Sequence, residues 1–437
     1  MTPAEALPMR ARIVVRCAAC GHSLDDHTPH ATCPSCAGLL EVLHAPPTAR
    51  GRALQARFDD RLGVDAMRGA ASARSGVWRF HELVLPVDGS DAIVSYPEGN
   101  TPLLAREAVA RFAGVASLHL KHEGHNPTGS FKDRGMTVAV TQARRIGATA
   151  VACASTGNTS ASLAAYAAQA GIPALVLVPA GRVALGKLAQ TIASGARTLL
   201  VRGDFDDCLR LVREAADRLG VYLANSVNPF RIEGQKTIVL ELLQQLSWDA
   251  PDWIALPAGN LGNTAAFGRA LREAHELGLI ARVPRLAAIQ ASGAAPFARA
   301  FAEGFVQRHR VRAETVATAI RIGDPASWDR AVEAIRYTRG LVIAVEDEDI
   351  LRAKCVIDAS GVGCEPASAA SVAGVRALVS RGVIAPDERV VAVLTGHVLK
   401  DPESLLSQVA GDAADSRRPV EIDPELSAVE RVLHSAH

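Results

Sequence analysis

After residue 100 the chain alternates short apolar runs with alanine-rich stretches whose apolar positions recur at helical spacing. The runs Ala150–Cys153, Ala174–Val178, Thr198–Val201, Trp253–Leu256, Leu341–Val345 and Val390–Leu394 read as buried strands. Between them, Asp206–Leu219 and Gly234–Leu246 are predicted helices, the first with a charged exposed face. Strands alternating with helices predict an α/β architecture with mostly parallel sheet. Residues 1–45 follow neither period; they are rich in Cys and His and precede Ala45-Pro46-Pro47-Thr48, a predicted linker. The tail from about Gly411 is polar and ends in an amphipathic segment, Ser427–Leu433.

Composition narrows the class. At roughly 150 residues per domain, 437 residues suggest about three domains or subdomains and a core large enough to need no staples. Lys and Arg total 47 against 46 Asp and Glu, so no overall field draws nucleic acid or an acidic membrane. No apolar run approaches the roughly 18 residues of a membrane span. The N-terminus lacks the apolar stretch of a secretory signal, so a cytoplasmic location is expected.

Four of the 8 cysteines crowd into one window as Cys17-x-x-Cys20 and Cys33-x-x-Cys36. Zinc prefers four tetrahedral ligands, with thiolate sulfurs about 2.3 Å away, and two such knuckles supply them. The spacing predicts a small zinc ribbon over residues 1–45, with strands at Ile13–Val15 and Leu39–Val42. Four protein ligands leave no open position, so the metal is expected to be structural. His22, His27 and His30 lie nearby as alternative ligands. Cys153, Cys208, Cys355 and Cys364 read as buried fillers.

The densest chemistry is Lys121-His122-Glu123-Gly124-His125-Asn126-Pro127-Thr128-Gly129-Ser130-Phe131-Lys132-Asp133-Arg134-Gly135. Its Asn, Pro, Thr and Gly form a turn, after which a helical pattern begins. Lys132 therefore falls at a helix N-terminus, where the positive end favours the neutral, nucleophilic amine. Such a lysine suits imine chemistry. Asp133 and Arg134 are expected to pair locally. Three more polar turns follow predicted strands: Ala154–Ser160, Pro257–Thr264 and Leu394–Asp401. At the first two, which open helices, backbone N–H groups face anions. Arg231, in Asn225-Ser226-Val227-Asn228-Pro229-Phe230-Arg231, offers a planar fork suited to phosphate. Lys187 is a second cationic candidate, and Ser360–Ser371 reads as a loop opening a packing helix.

In order along roughly residues 95–405, these strings resemble the motifs of the tryptophan synthase β-like, or fold type II, pyridoxal-phosphate enzymes. The Lys132 string, with Glu98-Gly99-Asn100-Thr101-Pro102-Leu103 before it, is similar to that of threonine synthases. The resemblance implies two open α/β subdomains behind the ribbon: a larger cofactor-binding one (46–135 and 230–437) and a smaller mobile one (136–229). It implies that Lys132 carries pyridoxal 5'-phosphate as an imine and shuttles protons, with Phe131 beside it. Asn158 would face the cofactor's phenolic oxygen, Gly259, Asn260, Leu261, Gly262 and Asn263 its phosphate, and Thr395 its pyridine nitrogen. Ser155, Thr156, Thr159, Asn225, Ser226 and Arg231 would hold the substrate. The implied lyase reaction turns O-phospho-L-homoserine and water into L-threonine and phosphate. A relative acting on another phosphorylated amino acid, such as a cysteate synthase using O-phosphoserine and sulfite, stays open. Members of the family are often dimers.

Overall fold

The computed structural model describes residues 13–62, 74–86, 93–181, 185–403, 406 and 419–435. At the N-terminus β1 (Ile13–Cys17), β2 (Ser23–Leu24) and β3 (Leu40–His44) form an antiparallel sheet in the order β2-β1-β3. Both ribbon strands expected from the sequence are present, each running about two residues further.

The large sheet has six strands in the order β12-β11-β10-β13-β5-β4. These are β4 (Leu103–Ala105), β5 (Ser117–His122), β10 (Trp253–Pro257), β11 (Arg285–Ala291), β12 (Leu341–Val345) and β13 (Arg389–Leu394). Every pairing is parallel except that of β4 with β5. All five residues of β10 are buried, as are five of six in β13. Continuous burial is the reason these strands read as unbroken apolar runs, since helices cover both faces of a parallel sheet. The small sheet, β8-β7-β6-β9, is wholly parallel and uses β6 (Ala150–Ala154), β7 (Ala174–Pro179), β8 (Arg197–Val201) and β9 (Val221–Leu223).

Four strands of these two sheets escaped the sequence pattern, among them the three-residue β4. In β11, Arg-Leu-Ala-Ala-Ile-Gln-Ala carries three alanines, the best helix former, and tertiary burial overrides that propensity. In β5 polar residues interrupt the run, and β9 is only three residues long. The helix expected over Gly234–Leu246 is two helices, Pro229–Gln235 and Thr237–Gln245. The first starts earlier because Asn228 caps it, accepting from the Phe230 N–H, and Pro229 occupies its first turn. The helix Phe205–Leu219 opens on a capping box made by Asp204 and Asp207.

One apolar cluster joins Val15, Leu40 and Val42 of the ribbon to Trp78, Ile232 and Ile254. A second lies on the other face of the large sheet, and two more flank the small sheet. Residues 401–437 form a separate compact unit in which Leu426–Ser435 is helical. Among the described residues no helix is long and apolar enough to cross a membrane.

Candidate active site

The sequence around Lys132 builds a loop pinned at both ends. Asp133, on the first turn of the helix Lys132–Arg145, accepts from the Thr128 N–H at 2.7 Å and the Thr128 hydroxyl at 2.6 Å. Gly129 turns the loop with a φ of +86°, a region costly to any residue with a Cβ. Phe131 N–H donates to Thr395 O at 3.0 Å and His397 N–H to Gly129 O at 2.9 Å, fixing the loop to the end of β13. Lys132 is half-buried, with Nζ 4.1 Å from the Phe131 ring centroid. Burial, and then the charge of Arg231, pull its amine down to about 7, so the neutral nucleophile is available near neutrality.

The expected Asp133–Arg134 pair is replaced by a different arrangement. Arg134 donates to Glu123 at 2.6 and 2.9 Å and to Glu241 at 2.7 Å. Glu241 also accepts from Lys121 Nζ at 2.6 Å, from Arg79 at 2.9 Å and from the Asn100 and Thr101 N–H groups. All five charged side chains are buried. The string 121–134 thus forms a polar frame that docks the Glu98–Leu103 segment, with Glu241 at its centre. Removing one carboxylate from a buried set leaves the others uncompensated. Glu241→Ala is therefore expected to cost about 3–5 kcal/mol, measured by urea unfolding.

At the end of β6, Gly157 opens the helix Asn158–Ala170, with Ser155, Thr156 and Thr159 half-buried around the turn. Asn158 Nδ2 donates to Glu365 Oε2 at 3.1 Å. From the end of β13, Thr395 Oγ1 donates to Glu365 Oε1 at 3.3 Å and contacts the Ser368 hydroxyl at 3.1 Å. One buried carboxylate therefore bridges Asn158 and Thr395, and burial raises its pKa. A Cβ at residue 396 would lie 2.5 Å from that carboxyl group, which explains Gly396. Nothing in the sequence marks Glu365 for this role, because a charged residue before Pro366 looks like an ordinary helix entrance.

Arg231 is fully buried on the helix Pro229–Gln235. One nitrogen donates to Ala224 O at 3.1 Å, while Nε and the other terminal nitrogen have no partner among the described residues. Among the described residues no carboxylate pairs with Arg231, and burial pulls the guanidinium down to about 10. A desolvated cation with free donors is costly unless an anion joins it. Asn225 uses both ends of its amide on the Ala154 backbone, at 3.0 Å each. Asn260 donates to the Ser226 hydroxyl at 2.5 Å and accepts from the Ala326 N–H at 2.7 Å, tying the 259–263 loop to the 225–228 loop. Lys187 lies on the helix Leu185–Ala193, with its side chain outside the described residues.

The family model for "Pyridoxal-phosphate dependent enzyme" matches residues 94–396. Threonine synthase of Methanocaldococcus jannaschii is 42% identical over 96% of this chain and 98% of its own length. Threonine synthase of Mycobacterium leprae is 50% identical over 80% of this chain and 93% of its own. The chain belongs to the threonine synthase family of pyridoxal-phosphate dependent enzymes. The crystal structure of threonine synthase from Escherichia coli shares the fold, with a TM-score of 0.69 and 18% identity over 97% of this chain and all of that one.

The residues present suit the cofactor of a pyridoxal-phosphate dependent enzyme. Leu261 adopts a left-handed φ of +63° and turns the chain into the helix Gly262–Glu276. That first turn carries N–H groups with no acceptor inside the helix, and within it the Thr264 hydroxyl, a donor, is buried without a partner among the described residues. Orphaned polar atoms at a glycine-bearing helix N-terminus fit a phosphate group.

The four ribbon cysteines converge as well. Cys17 and Cys36 Sγ are 3.5 Å apart, Cys20 and Cys33 Sγ 3.7 Å, and all four lie within 4.8 Å of one another. A tetrahedron with bonds of about 2.3 Å has edges near 3.8 Å, so the thiols fit one metal ion.

Proposed function

We propose that the enzyme converts O-phospho-L-homoserine and water to L-threonine and phosphate. The observation that carries this reading is Arg231, a buried guanidinium with two unsatisfied nitrogens whose charge acts on Lys132. A phosphorylated substrate supplies the dianion it lacks. Ser155, Thr156 and Thr159 are assigned to the same substrate at the mouth of β6, with Ser226 and Asn225 shaping the loop that presents Arg231.

Pyridoxal phosphate would be held by Lys132, Phe131, Asn158, the loop Gly259–Asn263 and Thr395. When bound, it supplies the conjugated ring that takes up the electron pair left as a Cα proton departs. Lys132 Nζ, whose amine is held at about 7, is the base that takes the Cα proton; once it has released that proton it can take one from Cβ. Asn158 and Thr395 hold their orientation because Glu365 bridges them. Residues 136–229 are read as the smaller mobile subdomain, whose closure keeps water out until phosphate has left. A structural zinc ion is assigned to Cys17, Cys20, Cys33 and Cys36, and a cytoplasmic location belongs to the same reading.

The test is phosphate release from O-phosphohomoserine, with the product identified by NMR. O-phosphoserine, with and without sulfite, runs in parallel. Equal yields of threonine and phosphate support the proposal; turnover of O-phosphoserine alone moves the enzyme to a sibling reaction. Glu365→Ala is expected to weaken cofactor binding about tenfold by fluorescence titration, because two of its contacts lose their common acceptor.

A further inference from the structure

The ribbon touches both sheets. On one side, Val15, Leu40 and Val42 share an apolar cluster with Phe230 and Ile232, which flank Arg231 on its helix. Arg330 donates to Leu40 O at 2.5 Å, and Arg269 donates to Val42 O. Arg269 also pairs at 2.9 Å with the buried Glu233, which pairs at 2.7 Å with Lys236. Glu233 follows Arg231 by two residues, roughly 200° around the helix. That helix therefore shows Arg231 to the site and Glu233 to the ribbon side.

On the other side, the loop between the knuckles reaches the Lys132 helix and the small sheet. Arg145 pairs with Asp26 at 3.0 Å, and the neighbouring Gln142 donates to Asp26 O. Both belong to the helix that begins at Lys132. Ala31 is buried in the cluster of Ala152, Ala154 and Leu223 beneath the small sheet.

We propose that the ribbon is a metal-locked tether between the two sheets, with Asp26 and Glu233 as positioning residues for the helices bearing Lys132 and Arg231. β2 of the antiparallel sheet leads straight into the Asp26 loop, and the two Cys-x-x-Cys turns bracket that loop in sequence and close it on the sheet. The metal thus transmits no chemistry to the site. It fixes the spacing of two helices that carry chemistry.

Hydrogen–deuterium exchange of the cofactor-loaded full chain, before and after metal removal by a chelator, tests this directly. Amides of residues 140–146 and 229–236 are expected to exchange about fivefold or more faster without metal, while β13 is unchanged. Asp26→Ala, which leaves all four cysteines, is expected to accelerate 140–146 alone. It should lower kcat about threefold to tenfold with KM for the phosphorylated substrate within about twofold, because the helix it loosens carries the base and not the phosphate contact, a coupling near 1 kcal/mol. The kcat arm rests on the function proposed above; the exchange arm is read without substrate and does not. Unchanged exchange in both segments overturns the tether, whatever kcat does. Faster exchange throughout the large sheet overturns it too, since that is general destabilisation, and so does a purified protein that holds no metal.

Discussion

Lys132→Ala is expected to fold normally and to lose turnover by at least about 10⁴-fold, the upper range for loss of a general base alone. Two functions leave together, covalent attachment of the cofactor and proton transfer. Borohydride reduction followed by peptide mass analysis separates them. The native protein should gain the cofactor's mass on the peptide containing Lys132, and the variant should not. The pH dependence carries a sign that geometry dictates. Burial and Arg231 hold the amine at about 7, so attachment should quicken as pH rises toward 7 and level off above it. A solvated lysine, with its amine near 10.4, would keep gaining nucleophile for about three further units. A rate still climbing at pH 9 would show that Lys132 is ordinary in the folded protein.

Arg231→Met should show opposite effects on stability and activity. The side chain keeps most of its apolar bulk, and a buried charge with two unsatisfied nitrogens disappears. The phosphate-free variant is expected to melt a few degrees higher than the native protein, the scale of about 1–2 kcal/mol. Its kcat/KM on the phosphorylated substrate should fall about 10²- to 10³-fold, the loss of a charge-assisted contact in a dry site. Inorganic phosphate should raise the melting temperature of the native protein and leave that of the variant alone. A lower melting temperature together with retained stabilisation by phosphate would mean Arg231 serves the fold rather than the anion.

Much of this fold is legible because its signals are local. Buried parallel strands such as β10 and β13 announce themselves by unbroken apolar runs, and the cysteine spacing points to the ribbon without any tertiary information. The catalytic string is likewise readable from turn residues and a lysine at a helix start. What the pattern hides is long-range partnership. Glu241 lies in an apolar helix 107 positions from Arg134, yet it is the acceptor on which the whole frame converges. Glu365 is 207 positions from Asn158, and nothing nearby marks it as the bridge to Thr395. Asp133 and Arg134 are adjacent in sequence, but a helix points neighbours apart, and each found its partner elsewhere.

The large sheet has a further consequence for how the protein is made. Its strand β5 pairs with β13, so Ser117 finds its partner at Arg389. The small sheet, by contrast, is complete once Leu223 has been synthesised. On the ribosome the small sheet can assemble while the large one still lacks β13, the strand that joins β5 and β4 to the rest of that sheet. Contacts of such sequence separation form slowly. The Lys132 loop leans on Thr395 and Gly129 on His397, so the reactive amine is the last part of the site to be fixed. A chain released before residue 395 should own a folded small sheet and an unplaced lysine, and cofactor chemistry would begin only when synthesis is nearly finished.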